Sequence, residues 1–305
     1  MNNVTLKSDA ILLATAFLWG FAFVAQRVGM EFVEPFTFNG VRFALGCLVL
    51  LPLMARTKNV SQIQHENRLH FHRPRVIGGG LLAGLVLFSG ASLQQVGIVY
   101  TTAGNAGFIT GLYVVVVPII LILLGRHSTA GTWIGAVLSL CGLYLLSVTS
   151  RLAINYGDML VLVGAMFWAL HVIIIGWLSP QVDSFKLAFA QYAVCSFCSM
   201  CVAISLETIT MHGLLQAGLP LFYGGVVSVG IAYTMQVVAQ KSAHPAHAAI
   251  LLSMEAVFAA MGGYLILNET MTGRQFVGCA LILAGMLISQ LWIYMMNKEK
   301  EASKT

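Results

Sequence analysis

The stretch HAAILLSMEAVFAAMGGYLIL, residues 247–267, decides the fold, because it is almost wholly apolar and yet places a carboxylate, Glu255, near its middle. An ionised glutamate in hydrocarbon costs several kcal/mol unless it faces a partner or a water-filled cavity. The rest of the composition says which solvent surrounds it. Of 305 residues, 58% are hydrophobic and 9% are charged, against roughly 25% charged in an average soluble domain. A soluble core cannot hide that much apolar surface, so the chain reads as an all-α integral membrane protein.

Apolar runs of about 20 residues, long enough to cross ~30 Å of hydrocarbon as helices, recur with short polar breaks. They predict ten transmembrane helices at 9–28, 37–55, 76–98, 102–124, 131–149, 158–177, 185–206, 217–239, 246–267 and 273–294, followed by a tail at 295–305. The first run is too long for a signal-peptide core and is expected to be retained. With the amino terminus inside, twelve Lys and Arg residues fall on the cytoplasmic side and three, Arg27, Arg151 and Arg274, on the external side. The positive-inside rule therefore predicts a multi-pass protein of the plasma (inner) membrane with both termini cytoplasmic. The net charge of +5 reflects that topology and gives no reason to expect a nucleic-acid partner. All six cysteines lie inside predicted spans, which argues against a disulfide framework. Cys195, Cys198 and Cys201 are read as small residues at a helix contact. His65, His70 and His72 sit in the long polar loop after the second span. No metal and no cofactor is expected.

The chain is written twice. A shift of 149 residues lays Asp9 on Asp158, Ala16 on Ala165, Trp19 on Trp168 and Phe36 on Phe185. A shift of 143 pairs Ala103 with Ala246, Thr129 with Thr272, Gly135 with Gly278 and Gly142 with Gly285. This divides the chain into a five-helix repeat at 9–149 and a second at 157–294. Because five is odd, the second must be inverted, the ground plan of many secondary transporters.

GDMLVLVGAMFWAL at 157–170, NAGFITGLYVVVVPIILILLGR at 105–126 and SMEAVFAAMGGYLILNETMTGRQFVGCALILAGMLI at 253–288 carry a resemblance over nearly the whole chain. They are similar to the drug/metabolite transporter superfamily, EamA type. That resemblance implies a ten-helix carrier of small metabolites, often an exporter of amino acids or related compounds, with a central cavity between its helices. Three positions depart from the family pattern. Ala256 stands where a proline often follows the glutamate, implying a straighter ninth span; Asn268 stands where glycine often precedes Glu269; and Arg126 stands where glutamate is common.

Glu255 lies about 12 residues, or ~18 Å of helix rise, from the external end of its span. It is the proton-coupling candidate, or a holder of a cationic substrate group, weighed against a purely structural role. Arg42 lies only about five residues inside the second span and is expected to snorkel to the external interface, with a substrate carboxylate as the functional alternative. Polar and aromatic residues at helical spacing supply the remaining cavity candidates: Trp19, Gln94, Asn105, Tyr113, Trp168, His171, Tyr233 and Gln236. His171 alone reads better as a packing residue than as a proton relay. Pro118 is expected to bend the fourth span.

The composition of this lining suits a neutral or zwitterionic metabolite; the family resemblance implies an amino acid or related compound moved outward by alternating access, with Glu255 as the proton-coupling candidate. The expected partners are thus a small-molecule substrate and the lipid bilayer, for a monomer or homodimer. The competing readings are an intramembrane enzyme and a receptor or scaffold without transport. No nucleophile arrangement, HExxH or paired metal-binding aspartate appears, so no catalytic residue is assigned. Reporter fusions at residues 153 and 300 should report opposite sides of the membrane, and finding both on one side would contradict the ten-span topology.

Overall fold

The computed structural model describes residues 3–61, 73–126, 128–147 and 155–302. His65, His70 and His72 lie outside them. The described residues are helical and contain no strand. They form α1 (Asn3–Gly29), α2 (Pro35–Ser61), α3 (Arg73–Tyr100), α4 in two segments (Ala103–Gly111 and Tyr113–Leu123), α5 (Ala130–Ser147), α6 (Tyr156–Leu178) and α7 (Ser184–Leu206). After a short helix, Met211–Gln216, come α8 (Gly218–Ala239), α9 in two segments (Pro245–Leu252 and Glu255–Ile266) and α10 (Gly273–Ala302). Nine of these stretches are long and apolar enough to cross a membrane. The apolar part of α5, Ala130–Leu145, is shorter, and its expected last residues, 148–149, lie outside the described part. Large apolar side chains such as Leu123, Phe197, Ile204 and Leu265 point outward, as a lipid-facing surface requires.

Packing is most extensive between α5 and α10, then between α3 and α6 and between α2 and α7. The α5/α10 contact shows why small residues matter where lipid supplies no hydrophobic drive between helices. A methyl group on Gly135 would stand 2.7 Å from the Gly285 carbonyl, and one on Gly142 would stand 2.5 Å from the Gly278 carbonyl. The two backbones therefore touch at glycine on both helices.

Three helices are irregular, and all three breaks fall at mid-bundle. In α4 the break is at Leu112, whose N–H reaches the Ile109 carbonyl at 3.2 Å while its own carbonyl receives Val115 N–H at 3.1 Å. Pro118, which offers no N–H to Val114, lies in the second segment. In α9 the break is at Ser253–Met254. Ser253 Oγ donates to the Ile250 carbonyl at 2.8 Å, and Ala256 N–H reaches the Ser253 carbonyl at 3.1 Å, so one tight turn replaces an α-helical turn. This corrects the expectation of a straighter ninth span from Ala256: a serine bonding back to its own helix interrupts it without proline. In α8 a π-helix runs over Tyr223–Tyr233, YGGVVSVGIAY. Its Gly225 lets α2 approach, since a methyl group there would meet Leu45 Cβ at 2.5 Å and the Arg42 carbonyl at 3.0 Å. Asn268 adopts the left-handed conformation, φ 53°, which asparagine tolerates better than most residues and which accounts for its standing at a glycine position.

Replacing Gly142 by Ala should lower the melting temperature of the detergent-solubilised protein. Overpacking against backbone costs about 1–3 kcal/mol, which outweighs the ~1 kcal/mol that alanine gains in helix propensity. An unchanged or raised melting temperature would show that α5 and α10 are farther apart.

Candidate functional site

The three breaks surround one internal cavity. The second segment of α4 opens with Tyr113, the second segment of α9 opens with Glu255, and the π-helix closes with Tyr233. All three line the cavity, together with Trp19, Arg42, Gln94, Trp168 and Gln236. Eight of the ten residues singled out from sequence thus meet in one place.

The walls are aromatic. Tyr233 packs on Trp19 with centroids 4.4 Å apart and stacks on Trp168 at 6.0 Å. Trp19 Nε1 donates to the Ser228 carbonyl at 3.4 Å, a group in the π-helix. Trp168 Nε1 donates to Gln94 Oε1 at 2.9 Å, which also accepts from Thr110 Oγ1 at 3.3 Å. Gln94 Nε2 in turn donates to Gln26 Oε1 at 3.0 Å. This chain of bonds fixes the amide and indole groups, so that side of the cavity is rigid and satisfied.

The remaining polar groups are not satisfied. Arg42 is buried at 1% exposure, with its guanidinium over the rings of Phe43 at 5.0 Å and Phe38 at 5.7 Å. Its Nε and Nη2 have no hydrogen-bond partner, and the same holds for Glu255 Oε1, both amide atoms of Gln236 and the Tyr113 hydroxyl, which neighbours Glu255. Among the described residues no ion pair joins Arg42 to Glu255. Arg42 therefore does not snorkel. Its depth from the helix end suggested an escape route, but the rings of Phe38 and Phe43 lie against it and α8 packs closely on α2 at Gly225. Four side chains with unpartnered buried polar atoms thus face one cavity.

Two candidates lie elsewhere. His171 is wholly buried behind the cavity, 2.8 Å from Gln191 Oε1 and edge-on to Trp168 and Tyr233, so it braces the aromatic wall. Asn105 lines a separate, open vestibule of about 870 Å³ with Arg27, Glu31, Tyr100 and Glu269. Its spacing from Tyr113 suggested one shared face, but the break at Leu112 lies between them. Burial raises the Glu269 carboxyl above the usual carboxylate range, opposed by the N–H groups of Ala103 and Gly104 and by Arg27. At the other end of the bundle His244 Nδ1 accepts the Ala246 N–H at 3.4 Å and caps α9. Burial lowers its pKa, aided by Arg126 and His247. Sequence reasoning missed Gln26, Thr110 and Ser228. Gln26 lies inside the first predicted span without a polar neighbour at helical spacing to draw attention to it, Thr110 is an ordinary helix residue, and Ser228 contributes its backbone.

The apolar helices around an internal polar cavity describe a multi-pass membrane transporter. A sequence model of the EamA-like transporter family matches residues 6–148 and again residues 155–291; the chain belongs to that family, within the drug/metabolite transporter superfamily. An uncharacterized transporter of Archaeoglobus fulgidus is 31% identical over 290 residues, covering 94% of this chain and 86% of its own. The uncharacterized inner membrane transporter YedA of Escherichia coli is 23% identical, with 93% and 90% covered. The uncharacterized transporter YoaV of Bacillus subtilis is 22% identical, with 91% and 94% covered. A protein crystal structure shares the fold at a TM-score of 0.72 and 18% identity, over 95% of this chain and 98% of that one.

Proposed function

We propose that this transporter is a secondary carrier that exports a neutral or zwitterionic metabolite, an amino acid in the first instance, by alternating access coupled to protons. The observation that carries the reading is the pair Arg42 and Glu255, both buried in one cavity and not bonded to each other. A guanidinium suits a substrate carboxylate, and a carboxylate suits an ammonium group. The rings of Trp19, Trp168 and Tyr233 offer the surface on which an apolar side chain packs. A polyanion such as a sugar phosphate would call for several cations, and Arg42 is the single Lys or Arg among the lining residues.

Glu255 supplies the coupling. A carboxylate inside the membrane resists remaining charged and alone, so it is neutralised either by a proton or by the substrate's ammonium group. If both compete for the same oxygen atoms, the carrier reorients with one or the other, and an inward proton exchanges for an outward substrate. The direction rests on the family resemblance.

The two-repeat organisation, 9–149 and 157–294, belongs to the same reading, with both termini and the tail 295–305 cytoplasmic. The 143-residue shift lays Leu112, the break in α4, on Glu255, which follows the break in α9. Interrupted helices at corresponding positions of two halves are a pointer to a binding site. The packing has the same symmetry: α1 on α9 is matched by α6 on α4, and α3 on α6 by α8 on α1.

The test is flux of labelled amino acids in reconstituted vesicles with and without a pH gradient. Glu255→Gln should insert normally while gradient-driven flux falls at least about tenfold, because the amide cannot carry the proton. Trp168→Ala and Tyr233→Ala should change which amino acids are carried more than they change expression. Full flux with an unchanged pH profile in Glu255→Gln would leave Glu255 a structural role. Saturable flux confined to phosphorylated sugars or nucleotides would overturn the substrate class.

A further inference from the structure

A second buried polar cluster lies at the end of the bundle where α1 begins, outside the cavity. His247 Nε2 is 3.1 Å from Asp9 Oδ1, and its Nδ1 is 3.3 Å from Ser289 Oγ. Asp9, His247 and Ser289 are 5%, 4% and 0% exposed. They join α1 to the first segment of α9 and to α10. Beside them Ser8 Oγ donates to the Ala239 carbonyl at the end of α8, 2.7 Å. Every residue of Pro245–Leu252 is buried, so this end of the bundle is shut.

The opposite end carries a counterpart. The 149-residue shift lays Asp9 on Asp158, and Asp158 Oδ1 accepts from Thr101 Oγ1 at 2.7 Å, just ahead of α4. Each aspartate therefore ties the first helix of one half to the start of the fourth helix of the other half. The two ties differ in one chemical respect: the contact to Thr101 has no second titratable group, whereas the contact to His247 has an imidazole, the side chain whose charge changes most readily near neutral pH.

The geometry around His247 accommodates both of its protonation states. When the ring is neutral with its proton on Nε2, that N–H donates to Asp9 and Nδ1 accepts the Ser289 hydroxyl. When the ring is charged, both nitrogens donate and Ser289 turns to accept. No polar atom is orphaned in either state, and the strength of the tie to Asp9 is what changes. The neutral ring keeps an N–H···O⁻ bond to the Asp9 carboxylate, and the charged ring adds a charge–charge attraction at the same 3.1 Å contact. The other charged or titratable groups around the segment are His244, which caps it, and Arg126, which acts on His244 from beyond α4. α5 and α6 approach it at Gly135 and Gly176, which bear no charge, and α10 contributes Ser289.

We propose that Asp9, His247 and Ser289 form a proton-operated latch on the gate at this end of the carrier. With the imidazole protonated, the latch holds Pro245–Leu252 against α1. Release of that proton to water at the same end weakens the contact and lets the segment part from α1. The word gate rests on the transporter reading, but the opening itself can be measured without any substrate.

The experiment is hydrogen–deuterium exchange of the full chain in lipid nanodiscs, read on peptides covering residues 239–250 between pH 6 and pH 8 and corrected for intrinsic exchange. Wild-type protection should fall about fivefold toward pH 8, as the charge–charge attraction is lost and the N–H···O⁻ bond alone remains. His247→Gln should make protection independent of pH. Asp9→Asn should do the same and lower it about fivefold at pH 6. His244→Asn, which removes the neighbouring imidazole, should leave the dependence in place, and Ser289→Ala should move its midpoint. Protection independent of pH in the wild type, or a dependence that survives in His247→Gln, would overturn the latch. If His247→Gln does not purify as a monodisperse protein, Asp9→Asn decides by the same criterion. A chain that opens with pH but carries no amino acid in vesicles would overturn the proposed substrate and leave the latch standing.

Discussion

Arg42 and Glu255 share one cavity in an apolar bundle without bonding to each other, and the neighbouring helices are shaped around that arrangement. A bonded pair would be neutral overall and need nothing further. Two unbonded ionisable groups need a polar enclosure and backbone that brings them to it. The structure supplies both. α9 breaks one residue before Glu255, α4 breaks beside Tyr113, and the π-helix of α8 meets the backbone of α2 at Gly225. Irregular backbone at membrane depth is tolerated only where it is buried in protein or lines a cavity, and all three irregular stretches border this one.

The surrounding shell is regular by contrast. The α5/α10 pair packs through glycines on both helices, and the indole and amide bonds linking Trp168, Gln94, Gln26 and Thr110 fix one wall. A stiff wall facing a set of unpartnered groups is what differential binding requires, because the site does not rearrange to satisfy itself when empty. The two aspartate contacts, Asp9 with His247 and Asp158 with Thr101, then join helices at the two ends of the bundle.

Much of this was legible in the sequence because membrane helices obey a simple rule: hydrocarbon must see apolar side chains, so polar ones at helical spacing point inward. That rule found Trp19, Gln94, Trp168, Tyr233, Gln236 and Glu255, and composition and periodicity found the helical bundle. It failed where depth along a straight helix stood in for three-dimensional position. Arg42 lay near a helix end and was assigned to the interface, although α8 covers it. Asn105 and Tyr113 were placed on one face across a break that no residue at Leu112 announces. The interruption of α9 arises from Ser253 bonding to its own helix, a signal that a search for proline passes over. Asp9 and His247 are 238 residues apart, and with Asp9 at the predicted start of a span, nothing local revealed that they meet.

The account stands on Arg42 and Glu255 holding the two ends of one zwitterion. The most direct test is the quenching of tryptophan fluorescence by ligand in the purified protein, using an amino acid that the vesicle assay shows to be carried and two analogues, one lacking the amino group and one with the carboxylate converted to an amide. The account predicts that each analogue binds at least about tenfold more weakly, since each leaves one buried charged group without its partner. It also predicts that Arg42→Gln abolishes the preference for the free carboxylate while Glu255→Gln abolishes the preference for the amine. Equal affinity for the amino acid and both analogues would contradict it.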